Sequence, residues 1–139
     1  MHETARWLPG CAKRAPSRST ASTVSGNEAH GDGGGLVAAT ERPVSIAGTT
    51  VTGNAAGVPA EGVPGEGGGG GLVLAGSGSV TVTGGAVSGN TAAGEGGGVL
   101  IENTNSVAIS GTTLIGNEAG AGGGAIEAAG ARVALSGLS

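Results

Sequence analysis

The chain has 139 residues, enough for one domain, yet it carries 33 glycines, one tryptophan and no Phe or Tyr. Glycine does not fall at every third position, which excludes a collagen-like chain, and an apolar content of 37% argues against a flexible low-complexity one. The net charge is −4 and four of the six bases lie in the first 18 residues, so the remainder lacks the basic, aromatic-studded face of a nucleic-acid binder.

Residues 1–21, "MHETARWLPGCAKRAPSRSTA", read as a disordered basic leader. They lack the 7–15-residue apolar stretch of a secretory signal, although "LPGC" (8–11) has the shape of a lipidation box. Cys11 is the only cysteine, so no internal disulfide can form. No apolar run approaches the ~20 residues of a membrane-spanning helix.

From residue 22 onward the chain repeats itself. "VSGN" (24–27) returns as "VTGN" (51–54), "VSGN" (87–90) and "LIGN" (114–117). Asn27, Asn54, Asn90 and Asn117 are separated by 27, 36 and 27 residues. The last glycines of four Gly runs, Gly35, Gly71, Gly98 and Gly124, are separated by 36, 27 and 26, and so are Val44, Val80, Val107 and Val133. Three landmarks therefore share a period near 27, with a nine-residue insertion around "VPAEGVPGE" (58–66). Self-similarity at this length is the mark of stacked repeats.

Each repeat predicts three short strands. "VSIAG" (44–48), "VTVTG" (80–84), "VAISG" (107–111) and "VALSG" (133–137) alternate apolar and small residues, as half-buried strands do. The segment ending in "GN" supplies the second strand, and the segment after the Gly run, such as "GGGLVLAG" (69–76), the third. Stacking such repeats gives an all-β, right-handed, single-stranded parallel β-helix of about four coils, with each strand paired to its equivalents one coil away.

In that arrangement like residues form columns. Val24, Val51, Val87 and Leu114 make one aliphatic column, Val44, Val80, Val107 and Val133 a second, and Ile46, Val82, Ile109 and Leu135 a third. Asn27, Asn54, Asn90 and Asn117 form a structural ladder in which each amide bonds backbone or its neighbours above and below. For the third strand the favoured inward column is Val37, Val73, Leu100 and Ile126. This turns Glu127 outward, and it leaves Leu72, Leu74, Val99 and Ile101 as an outer apolar patch awaiting a partner or a covering segment. A slip of one residue instead places half of those residues in the core, and that reading stands open.

Counting back from Asn27, Ser17 and Ser19 stand where Val44 and Ile46 stand, so ordered structure is expected from about Ala21, with the repeats spanning 22–139. The sequence ends at "VALSGLS", before the next "GN" is due. This leads to the expectation of a fragment of a longer array, or of a partner on the last coil, including end-to-end self-association.

Candidate chemistry is sparse. Asp32 is the sole Asp, Arg42 and Arg132 belong to distant coils, and His30 stands apart from any nucleophile pattern. Glu28 and Glu118 each follow the repeat Asn, while Asp32 and Glu95 precede the Gly run, with Glu66 near the second pair. These carboxylates read either as a weak cation stripe or as solvated turn charges, the second being favoured. No catalytic residue, cofactor or metal site is assigned. The inserted loop, with Val58, Pro59, Glu61, Pro64 and Glu66, is the candidate recognition element, with an inert insertion as the competing reading.

The tetrapeptides "GGGL" (33–36), "GGGL" (69–72), "GGGV" (96–99) and "GGGA" (122–125), with the four "GN" tetrapeptides, resemble the paired GGA[ILV] and FxxN repeats of polymorphic outer-membrane proteins. Val or Leu stands where that family favours Phe. The resemblance implies a right-handed β-helix of a bacterial cell-surface, outer-membrane or secreted adhesin, similar to autotransporter passengers. The expected function is a non-catalytic structural or adhesive module whose ligand is a glycan or protein surface. The alternative is part of a pectate lyase-like, polysaccharide-processing β-helix enzyme.

Overall fold

A computed structural model describes residues 17–139 apart from Ser77; Trp7, Cys11 and the "LPGC" stretch lie outside the described residues. The described residues form β-strands and no helix. In chain order the first coil comprises β1 (Ser17–Thr20), β2 (Thr23–Ser25), β3 (Glu28–Ala29) and β4 (Leu36–Ala39). The second has β5 (Val44–Ala47), β6 (Thr50–Thr52), β7 (Ala55–Ala56) and β8 (Leu72–Ala75). The third has β9 (Ser79–Thr83), β10 (Ala86–Ser88), β11 (Thr91–Ala92) and β12 (Val99–Glu102). The fourth has β13 (Ser106–Ser110), β14 (Thr113–Ile115), β15 (Glu118–Ala119) and β16 (Ile126–Ala129), and β17 (Val133–Ser136) follows it.

Every fourth strand pairs in parallel, giving four sheets: A (β1-β5-β9-β13-β17), B (β2-β6-β10-β14), C (β3-β7-β11-β15) and D (β4-β8-β12-β16). The chain is thus a parallel β-helix of four coils, each coil rising by about one interstrand spacing, ~4.8 Å. Each coil has four strands rather than the three expected. The fourth is a two-residue strand directly after the repeat Asn, whose inward Ala56 and Ala92 are buried. Two residues cannot display a periodic pattern, so sheet C had no signature to read.

Among the described residues strand pairing starts at Ser17, inside the stretch expected to be leader, with Ser17 opposite Val44 and Ser19 opposite Ile46. Parallel pairing is made by backbone groups, so serines at apolar positions do not prevent it.

The core is the aliphatic filling of the spring. Val44, Val80 and Val107, then Ile46, Val82 and Ile109, are buried columns of sheet A, and Val51 and Val87 are a buried column of sheet B. Val24, Leu114 and Val133, at the first and last coils, are partly buried and packed against this core. Leu135 occupies the Ile46 column but is half exposed, because no described coil lies beyond it.

Sheet D corrects the favoured facing. Leu72, Leu74, Val99 and Ile101 are fully buried members of the core, not an outer patch. The register stacks Leu36, Leu72, Val99 and Ile126, so Ile126 belongs with these residues, and Val37, Val73, Leu100 and Glu127 form the outward column. Val37 is accordingly 50% exposed. Val73 and Leu100 are nevertheless buried, because the glycine-rich arch joining sheets C and D folds over them: a Cβ at Gly68 would meet Leu100 Cδ2 at 2.6 Å. Both sides of the strand are covered, which erases the alternation that would have shown its facing.

The fourth repeat is also offset by one. Gly33, Gly34 and Gly35 donate to Gly68, Gly69 and Gly70, whereas Gly98 donates to Gly124 and Val99 to Ala125. Ala125, not Gly124, therefore stands at the place of Gly35, Gly71 and Gly98. The missing residue of the fourth repeat lies between β16 and β17.

Candidate functional site

The repeat asparagines form one continuous hydrogen-bonded column. The backbone N–H and Nδ2 of Asn27 both donate to Asn54 Oδ1 at 3.0 Å, those of Asn54 to Asn90 Oδ1 at 3.0 Å, and those of Asn90 to Asn117 Oδ1 at 3.1 and 2.9 Å. The second Nδ2 hydrogen turns the other way: Asn54 donates to Val24 O, Asn90 to Val51 O and Asn117 to Val87 O, at 3.0, 3.0 and 2.8 Å. Asn54 and Asn90 are buried with both amide hydrogens used and two bonds accepted at Oδ1, which is why an amide, and not a carboxylate or hydroxyl, suits the column. The glycine before each Asn has φ near +60° (Gly26 64°, Gly53 63°, Gly89 60°, Gly116 63°), the left-handed region that turns the chain from sheet B into sheet C.

This column explains why the "GN" and glycine-run motifs travel together. A Cβ at Gly35 would lie 3.0 Å from the amide of Asn54, one at Gly71 3.0 Å from Asn90 Nδ2, and one at Gly98 3.0 Å from the amide carbon of Asn117. The side chains of Asn54, Asn90 and Asn117 thus occupy the room left by a missing Cβ one coil earlier. Ala125, at the same register in the fourth coil, is exposed and has no described Asn against it.

The insertion lies in the arch between β7 and β8. Ala60 and Val63 exchange two backbone hydrogen bonds, N–H to O, at 3.1 and 2.9 Å. Glu61 and Gly62 between them have φ of 49° and 77°, so the tip is a two-residue hairpin with two left-handed positions. Its base is tied to the first coil: Val58 N–H donates to Ala29 O at 2.9 Å, and His30 Nδ1 lies 2.9 Å from Val58 O. Pro59, Glu61, Pro64 and Glu66 are exposed, Val58 is half-buried, and Val63 at the tip is 55% exposed. Val63 lies inside the expected 58–66 loop but was not among its candidate contact residues, and His30 was not assigned to this element from the sequence. The signal for Val63 was present, since an X-Gly pair between two residues able to bridge marks a tight hairpin.

The carboxylates separate into two groups. Glu28 and Glu118 share a column of sheet C with Ala55 and Thr91 between them, so three coil intervals of ~4.8 Å hold them apart. Asp32, Glu66, Glu95 and Glu102 instead line one open trough of about 450 Å³ beside the arch, floored by glycines and Leu100. Asp32 Oδ1 accepts a bond from Gly68 N–H at 2.8 Å, which gives that carboxylate a structural task. Among the described residues no three His, Cys, Asp or Glu side chains are grouped to hold a metal ion.

Arg42 lies on the corner between sheets D and A after the first coil and Arg132 on the same corner after the fourth, so the two do not meet. Among the described residues no helix is long and apolar enough to cross a membrane. No family model, curated protein or solved structure matches this chain.

Proposed function

We propose that the chain is a non-catalytic structural and adhesive β-helix module of a bacterial surface or secreted protein, in which the 58–66 hairpin makes the contact. The observation that carries this reading is the order of that insertion. Nine extra residues on a repeat scaffold could hang loose. These instead close an Ala60–Val63 bridge and are tethered to the preceding coil through Ala29 and His30. A tip fixed before it meets a ligand loses little entropy on binding. Val63, exposed between two prolines with Glu61 beside it, supplies a small apolar contact with an acidic flank.

The observed register supports the relationship to polymorphic outer-membrane protein repeats. In that register the four tetrapeptides are GGGL (33–36), GGGL (69–72), GGGV (96–99) and GGAI (123–126), and the last spells the GGA[ILV] motif in full. The test is to replace 58–66 by the shorter arch of the third coil and to measure adhesion to cells and to glycan and protein surfaces. Adhesion lost, with the β spectrum intact, supports the reading; unchanged adhesion removes the hairpin from it.

A second reading, a polysaccharide-processing module, draws on the trough that gathers Asp32, Glu66, Glu95 and Glu102 beside sheet D. It requires turnover of an acidic or neutral glycan, measured as new reducing or unsaturated ends. Turnover that survives E66Q and E95Q together would exclude the trough as its seat.

A further inference from the structure

We propose that the outer face of sheet B is an ice-binding surface. The register stacks Thr23, Thr50, Ala86 and Thr113 in one outward column and Ser25, Thr52, Ser88 and Ile115 in the other, with no residue skipped. Six of these eight side chains carry a hydroxyl, and none is charged. The acids lie elsewhere: Glu28 and Glu118 on sheet C, Asp32, Glu61, Glu66 and Glu95 on the C–D arches, Glu102 and Glu127 on sheet D, and Glu41 on the corner between sheets D and A. The solenoid therefore has one neutral hydroxyl side and one acidic side.

A lattice of hydroxyls and methyls suits solid water for two reasons. The hydroxyls exchange hydrogen bonds with water, and the methyls force adjacent water to cage them. Spacing supplies the second match. Successive coils lie ~4.8 Å apart and alternate residues on a strand ~6.6 Å apart. In tetrahedral ice with O···O about 2.75 Å, two waters bound to a common third are about 4.5 Å apart, and the layer repeat is about 7.3 Å. Over the three intervals between four coils the first mismatch grows to only ~0.9 Å, well under half a lattice repeat. Ser88 Oγ donates to Thr52 Oγ1 at 3.2 Å, which fixes two of the rotamers in advance. Among the described residues there is no Phe, Tyr or Trp on which a sugar ring could stack, and none of the sheet B columns holds a ring, so a solid of small neutral molecules fits this face better than a glycan does.

The test is growth of ice grains in a frozen solution of the full chain at sub-zero temperature. The wild type is expected to arrest grain growth. Thr50→Lys should raise the concentration needed by about tenfold or more. Ala86→Thr, which completes a column, should lower that concentration, and Glu41→Lys, exposed on the corner between sheets D and A, should leave it unchanged. Circular dichroism establishes that each variant is folded. Grain growth equal to buffer with folded wild type, or equal loss in T50K and E41K, overturns the proposal. Adsorption to crystalline polysaccharide with no effect on ice also overturns it. None of these readings depends on the 58–66 hairpin, so failure here leaves the adhesive reading intact.

Discussion

Asn54 holds Asn90 by two hydrogen bonds to a single atom: its backbone N–H and its Nδ2 both reach Asn90 Oδ1 at 3.0 Å. Asn90 repeats this toward Asn117 and bonds back to Val51 O. Asn90→Ala strands two donors of Asn54, removes the donor to Val51 O and leaves Asn117 Oδ1 with only the backbone N–H of residue 90, all in a buried column, and is expected to cost about 3–5 kcal/mol. Asn27→Ala, at the exposed end, is expected to cost about 1 kcal/mol or less. Urea denaturation of both variants checks this order, and equal costs would contradict a ladder.

The glycine beneath each Asn should be as intolerant as the Asn itself. A Cβ at Gly71 meets Gly98 O at 2.7 Å and Asn90 Nδ2 at 3.0 Å, so Gly71→Ala is expected to destabilise by about 1–3 kcal/mol. Ala125→Gly, at the same register on the exposed fourth coil, should change stability by under about 1 kcal/mol. The comparison is made by thermal unfolding of the two variants.

The facing of sheet D predicts a sharp contrast between neighbouring apolar residues. Leu74→Ala, in the core, is expected to cost about 2–5 kcal/mol. Val37→Ala, half exposed on the outward column, is expected to cost about 0.5 kcal/mol or less. Similar costs at the two positions would reopen the register.

Ala21 sits at φ 45°, where the equivalent turn in later coils uses Gly48, Gly84, Gly111 and Gly137 at 60°, 63°, 62° and 58°. Ala21→Gly is therefore expected to raise stability by up to about 1 kcal/mol, because relief of the left-handed strain outweighs the added chain entropy. A fall in the unfolding midpoint would show that the turn is not held in that conformation.

The winding was legible because the same residue types recur at 27 and 36 residues, and stacking is the simplest way to bury Val44, Val80 and Val107 together. The facing of sheet D was not, since Leu72–Val73–Leu74 is apolar on both sides. The arch that buries Val73 and Leu100 is a tertiary feature with no local pattern. Glycine runs also misled the count: they are alike in sequence at 122–124 and 96–98, yet the register places Ala125 opposite Gly98, and only a hydrogen-bond ladder reveals such an offset. The trough escaped in part because Glu102, on β12, joins Asp32 and Glu66 only once the coils are stacked. The hairpin tip had a readable signal in Glu61-Gly62, but its tether to His30 crosses 28 residues and depends on the stacking of the first two coils.

Consecutive windings lie in register one above another. Nuclear Overhauser contacts of Val87 in the isotopically labelled chain test it most directly. In-register stacking requires backbone contacts from Val87 to residue 51 on one side and residue 114 on the other, with parallel-strand geometry. Contacts only to sequence neighbours, or antiparallel contacts to strands a few residues away, would contradict it.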